Sequence, residues 1–178
     1  MPPVAALPPG NQGFLIRSLR VAGEQPVLAR GNGYLCYIPS QHRRYYIDMR
    51  LTFEEYRSKF SSKTRSTLNR KIRKYAEHCG GEISWKVYRC VHEMPEFFSM
   101  ARAVSMTTYQ EKLLDAGIPG SDEFYRGLEQ LARQGCVRGF ILFHGNQPVS
   151  YLYCPVINKV VIYAYLGYDP RYMDYSVG

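Results

Sequence analysis

CVRGFILFHGNQPVSYLYCPVINKVVIYAYLGYDP, residues 136–170, is the stretch that decides the fold. VRGFILFH and PVSYLYCPVI are β-branched and aromatic runs joined by a Gly-Asn pair at Gly145 and Asn146. An Asn-Lys pair at Asn158 and Lys159 leads into VVIYAYLGY, which ends at Asp169 and Pro170. Short turn pairs between strand-like runs predict an antiparallel three-stranded meander. In its last strand, strict alternation sets Ile162, Ala164 and Leu166 on one face and Tyr163, Tyr165 and Gly167 on the other. One face is expected to pack on helices, leaving the other to offer phenols and backbone to whatever lies beside it.

Immediately upstream the hydrophobic period becomes helical. Ser121, followed by Asp122 and Glu123, reads as a cap for a helix carrying Phe124, Leu128 and Leu131 and ending at Gly135. Pro95 suits the first turn of another helix, bearing Phe97, Phe98, Ala101 and Val104. Before it, Ile83, Trp85 and Val87 alternate as in a half-buried strand, and Trp85, Phe97 and Phe98 are assigned to the core. Leu68, Ile72, Tyr75 and Ala76 form one apolar stripe of a basic amphipathic helix stopped by Gly80 and Gly81, and Thr52 with Glu55 makes a capping box for a short helix through Phe60.

The opening residues 1–12, with four prolines among the first nine, read as a linker. Residues 13–50 read as a short β segment, a hairpin or the tail of a preceding domain, with Tyr45 to Ile47 a brief strand. Residues 51–178 carry the main domain. At 178 residues, with 46% hydrophobic and 21% charged side chains, the chain has the composition of one ordinary globular domain, or one plus a fragment of another. No run approaches the ~20 apolar residues needed to cross a bilayer. Five cysteines, none in a C-x-x-C pair, and four histidines offer no metal-ligand spacing. Reduced, mostly buried thiols in a cytoplasmic protein are expected.

Net charge is +8, and it is concentrated: Arg43 to Lys74 holds 11 basic residues against three acids, while the remainder of the chain is balanced. Such a segment attracts phosphate-rich partners, or is a solvated helix face.

The stretches FEEYRSKFSSKTRSTLNRKIRKY (Phe53 to Tyr75), GNQPVSYLY (Gly145 to Tyr153) and YLGYDPRYMDYSVG (Tyr165 to Gly178) together resemble the second half of a GNAT-type acyltransferase. They are more specifically similar to the cellulose-biosynthesis-type group related to the Fem-type peptidoglycan aminoacyltransferases. The resemblance implies an α+β, partial GNAT (acyl-CoA N-acyltransferase) fold, with a mixed, mainly antiparallel sheet and flanking helices. It implies acyl-coenzyme A, such as acetyl-CoA, as co-substrate, no metal, and an amine, sugar or peptidoglycan-precursor acceptor. Residues 13–50 would be the end of a preceding GNAT-like half. A turn after the final strand would hold the cofactor pyrophosphate on backbone N–H groups. By position Tyr168, Ser176 and Gly178 fall to that cofactor site, with Val177 where the family commonly has proline. The chain stops there, so the resemblance implies a C-terminally truncated and impaired enzyme.

In such transfer the acceptor attacks the thioester directly, and the protein supplies proximity, a proton acceptor and carbonyl stabilisation. Tyr163 and Tyr165 are the expected walls of the acyl or acceptor channel, with Gly167 allowing close backbone approach. Arg65, Arg70 and Lys71 would guide an anionic cofactor or acceptor. Asp169 reads as a turn-stabilising Asp-Pro residue or as a proton acceptor, and no catalytic base is assigned. The competing reading is a nucleic-acid or other polyanion-binding module using helix 63–74, with Tyr45, Tyr46 and Tyr75 stacking on bases.

Overall fold

The computed structural model describes residues 7–16, 19, 21–31, 33–43, 45–108, 111 and 117–177. The chain divides into two compact units, the first ending at Tyr56 and the second beginning at Arg57. In the first, β1 (Leu28–Gly31) and β2 (Tyr34–Tyr37) pair as an antiparallel hairpin. Tyr45 to Ile47 form no strand and are exposed, and among the described residues no neighbouring strand satisfies their backbone. The division between units falls inside α1 (Phe53–Ser58), whose start has the expected capping box: Thr52 N–H donates to Glu55 Oε2 at 2.7 Å, and Glu55 N–H donates to Thr52 Oγ1 at 3.2 Å.

The second unit begins with α2 (Ser62–His78), capped by Ser61 Oγ accepting from Thr64 N–H at 3.2 Å. β3 (Ser84–Tyr88), α3 (Met94–Ser105) and α4 (Asp122–Arg133) follow. The meander is β4 (Val137–His144), β5 (Gln147–Ile157), β6 (Val160–Val161) and β7 (Tyr165–Tyr168). β5 is central, antiparallel to β4 on one side and to β6 and β7 on the other, with β3 outside β4. Asn158 and Lys159 both take positive φ at the β5–β6 turn, which matches strand twist in a tight hairpin.

One sheet face carries the core. Tyr88, Ile141, Tyr151 and Tyr153 point at Met94, Phe97, Ala101 and Val104 of α3 and Leu128 of α4, all essentially buried. Two glycines make the fit possible. A Cβ on Gly139 would lie 2.7 Å from Phe97 Cε2, and one on Gly167 would lie 2.6 Å from Tyr151 Cε1, distances no carbon pair tolerates. The opposite face is set by register: Val87, Phe140, Leu152 and Leu166 form one cross-strand row, Trp85, Leu142, Ser150 and Tyr168 the next.

Three expectations change. The strand alternation buries Tyr88 instead of the Trp85 row, so Trp85 is 60% exposed and not a core residue. Of the cysteines only Cys154 is buried; the other four are partly or fully exposed, and all five are free thiols. The final run is not one strand: the pairing sums shift by one residue between Val156↔Val161 and Tyr153↔Tyr165, so a bulge separates β6 from β7.

Gly139→Ala should lower stability by about 1–3 kcal/mol, because Phe97 must leave its well-packed position. Gly127→Ala, inside α4 with nothing near its would-be Cβ, should raise it by about 0.5–1 kcal/mol. Urea midpoints at unchanged slope distinguish the two; equal effects would contradict the packing described.

Candidate functional site

The bulge decides what the last strand presents. A one-residue slip moves every following side chain to the other face. Tyr165 therefore sits opposite Tyr153 and joins the helix-covered face, its ring 5.6 Å from Phe124 in an edge contact and 6.2 Å from Tyr153. Tyr163 lies in the irregular stretch before β7 and is 69% exposed. The two tyrosines expected to form one wall do not share a face. Burial, with the Tyr165 phenol adding to it, pushes the Tyr153 hydroxyl up to about 12, so it stays protonated. Beside this aromatic cluster a cleft of about 450 Å³ is lined by Pro119, Ser121, Phe124, Leu131 and Tyr153.

Gly167 permits a close approach, and the approaching group is the protein's own Tyr151 ring with the Thr108 methyl behind it. Below lies a polar network that no local pattern in the sequence announces. Tyr151 hydroxyl donates to Ser105 Oγ at 3.3 Å, and Ser105 Oγ donates to Glu111 Oε2 at 3.2 Å. Arg102 pairs with Glu111 at 2.8 Å and also donates to the Ile118 carbonyl. Ser105 is wholly buried, so these bonds offset a desolvation that would otherwise be costly.

β7 is an edge. It pairs with β5 through Tyr165 to Tyr168, and among the described residues its other side has no partner strand, which leaves alternate backbone groups open. Tyr168 ends it, half-buried opposite Ser150, whose hydroxyl donates to the Gly167 carbonyl at 3.1 Å.

The chain then turns into a single 3-10 segment, Pro170–Tyr175, closed by Ser176 in the left-handed conformation (φ 56°). Asp169 starts it. Its carboxylate is buried, accepts from Arg171 N–H at 3.0 Å, and is gripped by the Arg171 guanidinium at 2.6 and 3.0 Å. That guanidinium holds the Asp169 carboxyl below its ordinary value. Its lone pairs are committed to the turn, which selects the turn-stabilising reading of Asp169 over the proton acceptor. Gly178 lies outside the described residues.

The turn is fastened to the end of α2. His78 is stacked between Tyr175 (centroids 4.0 Å apart) and His144 (4.5 Å), and the Tyr172 hydroxyl lies 3.0 Å from His144 Nδ1. Lys74 donates to the Asp174 carbonyl at 2.8 Å. Arg65 is turned to its own helix start, donating to the Phe60 carbonyl at 2.8 Å. Arg70 and Lys71 are exposed. At 3.6 residues per turn Arg65 and Arg70 point about 140° apart, so the three basic residues do not converge on one anion.

An edge strand running into a fastened turn, on an antiparallel sheet with helices packed on one face, is consistent with the α+β fold of GNAT-type acyltransferases. A family model for the acetyltransferase (GNAT) domain matches residues 62–178, and the chain belongs to that family. Neither the curated proteins nor the solved structures include a match to it. Domains of this family use acyl-coenzyme A. Among the described residues there is no helix long and apolar enough to cross a membrane and no His, Cys, Asp and Glu cluster suited to a metal ion.

Asp169→Asn should cost about 1–2 kcal/mol at neutral pH through the lost charge-assisted bonds. Because folding lowers this carboxyl's pKa, its contribution is present above the unfolded value near 4 and fades as pH falls through the folded one. Melting curves of the two proteins should therefore differ at pH 7 and converge in strong acid; a constant difference would contradict the ionised turn.

Proposed function

We propose that this protein transfers an acyl group from acyl-coenzyme A, acetyl-CoA being the simplest donor, to an amine or hydroxyl acceptor. The observation that carries the reading is the edge of β7, with no partner strand among the described residues, leading into the Asp169–Ser176 turn within a domain of the GNAT family. Open strand-edge groups recognise extended amide-bearing chains by adding them as a further strand, and the pantetheine arm of coenzyme A is such a chain. Tyr168 and Ser176, and Gly178 by position, are the proposed cofactor-binding residues. Tyr165, with Phe124 and Tyr153, would receive the acyl or acceptor group, and Tyr163 would meet it from the exposed side of the bulge.

Chemistry of this kind needs no covalent enzyme nucleophile. Holding acceptor and thioester together supplies most of the acceleration, and backbone N–H groups near the carbonyl oxygen stabilise the developing charge. Arg70 and Lys71 raise the local concentration of an anionic donor or acceptor from a distance, and Arg65 adds its charge to this while its guanidinium donates to the Phe60 carbonyl. On the similarity to the Fem-like group, the acceptor is a sugar amine or peptidoglycan precursor, and an aminoacyl-tRNA is the alternative donor. The exposed basic helix supports a second reading, binding of nucleic acid or another polyanion along residues 63–74.

Titration with acetyl-CoA, followed by thermal melting and by release of free thiol in the presence of amines, separates these readings. Acyl transfer predicts saturable stabilisation, about 2.7 kcal/mol at a hundred times Kd, and thiol release that depends on the amine. Arg70→Glu with Lys71→Glu should slow cofactor association at low salt and leave it nearly unchanged at high salt. No response to coenzyme A derivatives, with single-stranded nucleic acid bound about 10³-fold more weakly at 200 than at 50 mM salt, would establish the polyanion reading instead.

A further inference from the structure

Where the β4–β5 hairpin turns, a cleft of about 540 Å³ opens between Cys79 at the end of α2, Glu82 on the approach to β3, Ser84 and Trp85 at the start of that strand, and Gly145 of the hairpin. That volume suits a monosaccharide-sized molecule. It shares no residue with β7 or the turn after it, so what it binds is independent of the acyltransfer reading.

Two of its groups are unusual. Trp85 is the only tryptophan of the chain and is 60% exposed, an indole face left open by the strand alternation that buries Tyr88. Glu82 is exposed with no ion-pair partner among the described residues, and the lining contains no lysine or arginine in a chain of net charge +8. The C-terminal end of α2, at Cys79, adds the partial negative charge of a helix terminus. A carboxylate, a helix C-terminus and an aromatic face all favour a cation.

The same strand shows the arrangement in occupied form. One residue beyond Trp85, pointing to the α3 side, the Lys86 ammonium sits 2.8 Å from Glu96 Oε2 and 4.4 Å from the centre of the Tyr88 ring. Glu82 and Trp85 both line the cleft, a carboxylate and a ring, and no lysine or arginine among the described residues lines it with them. We propose that this cleft binds a small organic ammonium ion, a protonated amino sugar being the type, with the cation on Glu82 and the apolar face of its ring on Trp85.

Because Trp85 is unique, its fluorescence reads the site directly. The full chain is titrated at constant ionic strength with glucosamine, N-acetylglucosamine and glucose. The proposal predicts a saturable spectral change with glucosamine in the millimolar range, at least about fivefold weaker for the two neutral sugars and at least about fivefold weaker for glucosamine in Glu82→Gln. In Trp85→Leu, checked for an unchanged far-UV spectrum and melting point, the calorimetric heat of glucosamine binding should vanish. No saturable change, equal affinity for the neutral sugars, or wild-type affinity in either variant overturns it.

Discussion

The domain is organised by two places where a large ring meets bare backbone. Phe97 of α3 lies on Gly139 of β4, and Tyr151 of β5 lies on Gly167 of β7, each closer than any side chain on the glycine would allow. The first contact sets how near α3 comes to the sheet. The second sets where β7 runs, since the strand can press against Tyr151 only where it has no Cβ. Sheet interiors usually avoid glycine because it packs nothing and loses the most entropy on ordering. Here the rings supply what the glycines lack, and their burial, worth roughly 1.5–3 kcal/mol for a phenylalanine, outweighs that cost.

From that constraint the geometry of the site follows. With β7 held on Tyr151, Tyr165 is fixed beside Tyr153 and Phe124, and the bulge before it absorbs the extra residue that the β6 pairing leaves over. Among the described residues the outer edge of β7 has no partner strand, which leaves it open to an extended partner. Beyond the strand, Asp169 and Arg171 define where the chain turns, and the stacked His144, His78 and Tyr175 rings tie the turn to α2 and to the β4–β5 hairpin. The basic helix thus serves the domain first as an anchor for its C-terminal segment and only on its exposed side as a source of positive potential.

Much of this was legible in the sequence, for local reasons. The meander, the Thr52 and Ser121 caps and the Pro95 helix start all rest on neighbours within a few residues, where propensity and periodicity act. What escaped was non-local. The bulge between Val161 and Tyr165 keeps an unbroken apolar and aromatic run, so alternation counted straight through it and assigned Tyr163 and Tyr165 to one face. Trp85 looked like core because its neighbours alternate correctly; only the identity of the covered face, settled by Tyr88 and the helices, shows otherwise. Tyr151 and Ser105 are 46 residues apart, and nothing in either neighbourhood predicts that their hydroxyls meet. Arg65, Arg70 and Lys71 were grouped by proximity in sequence, whereas the turn of the helix sends them in different directions.

Backbone amide hydrogen exchange, measured residue by residue with and without acetyl-CoA, bears most directly on the claim that the free edge of β7 and the turn after it receive the thioester cofactor. The account predicts new protection confined to Tyr165–Ser176, with the α2 amides from Lys63 to Lys74 unchanged. Protection elsewhere with β7 left as it was, or none at saturating cofactor, would contradict it.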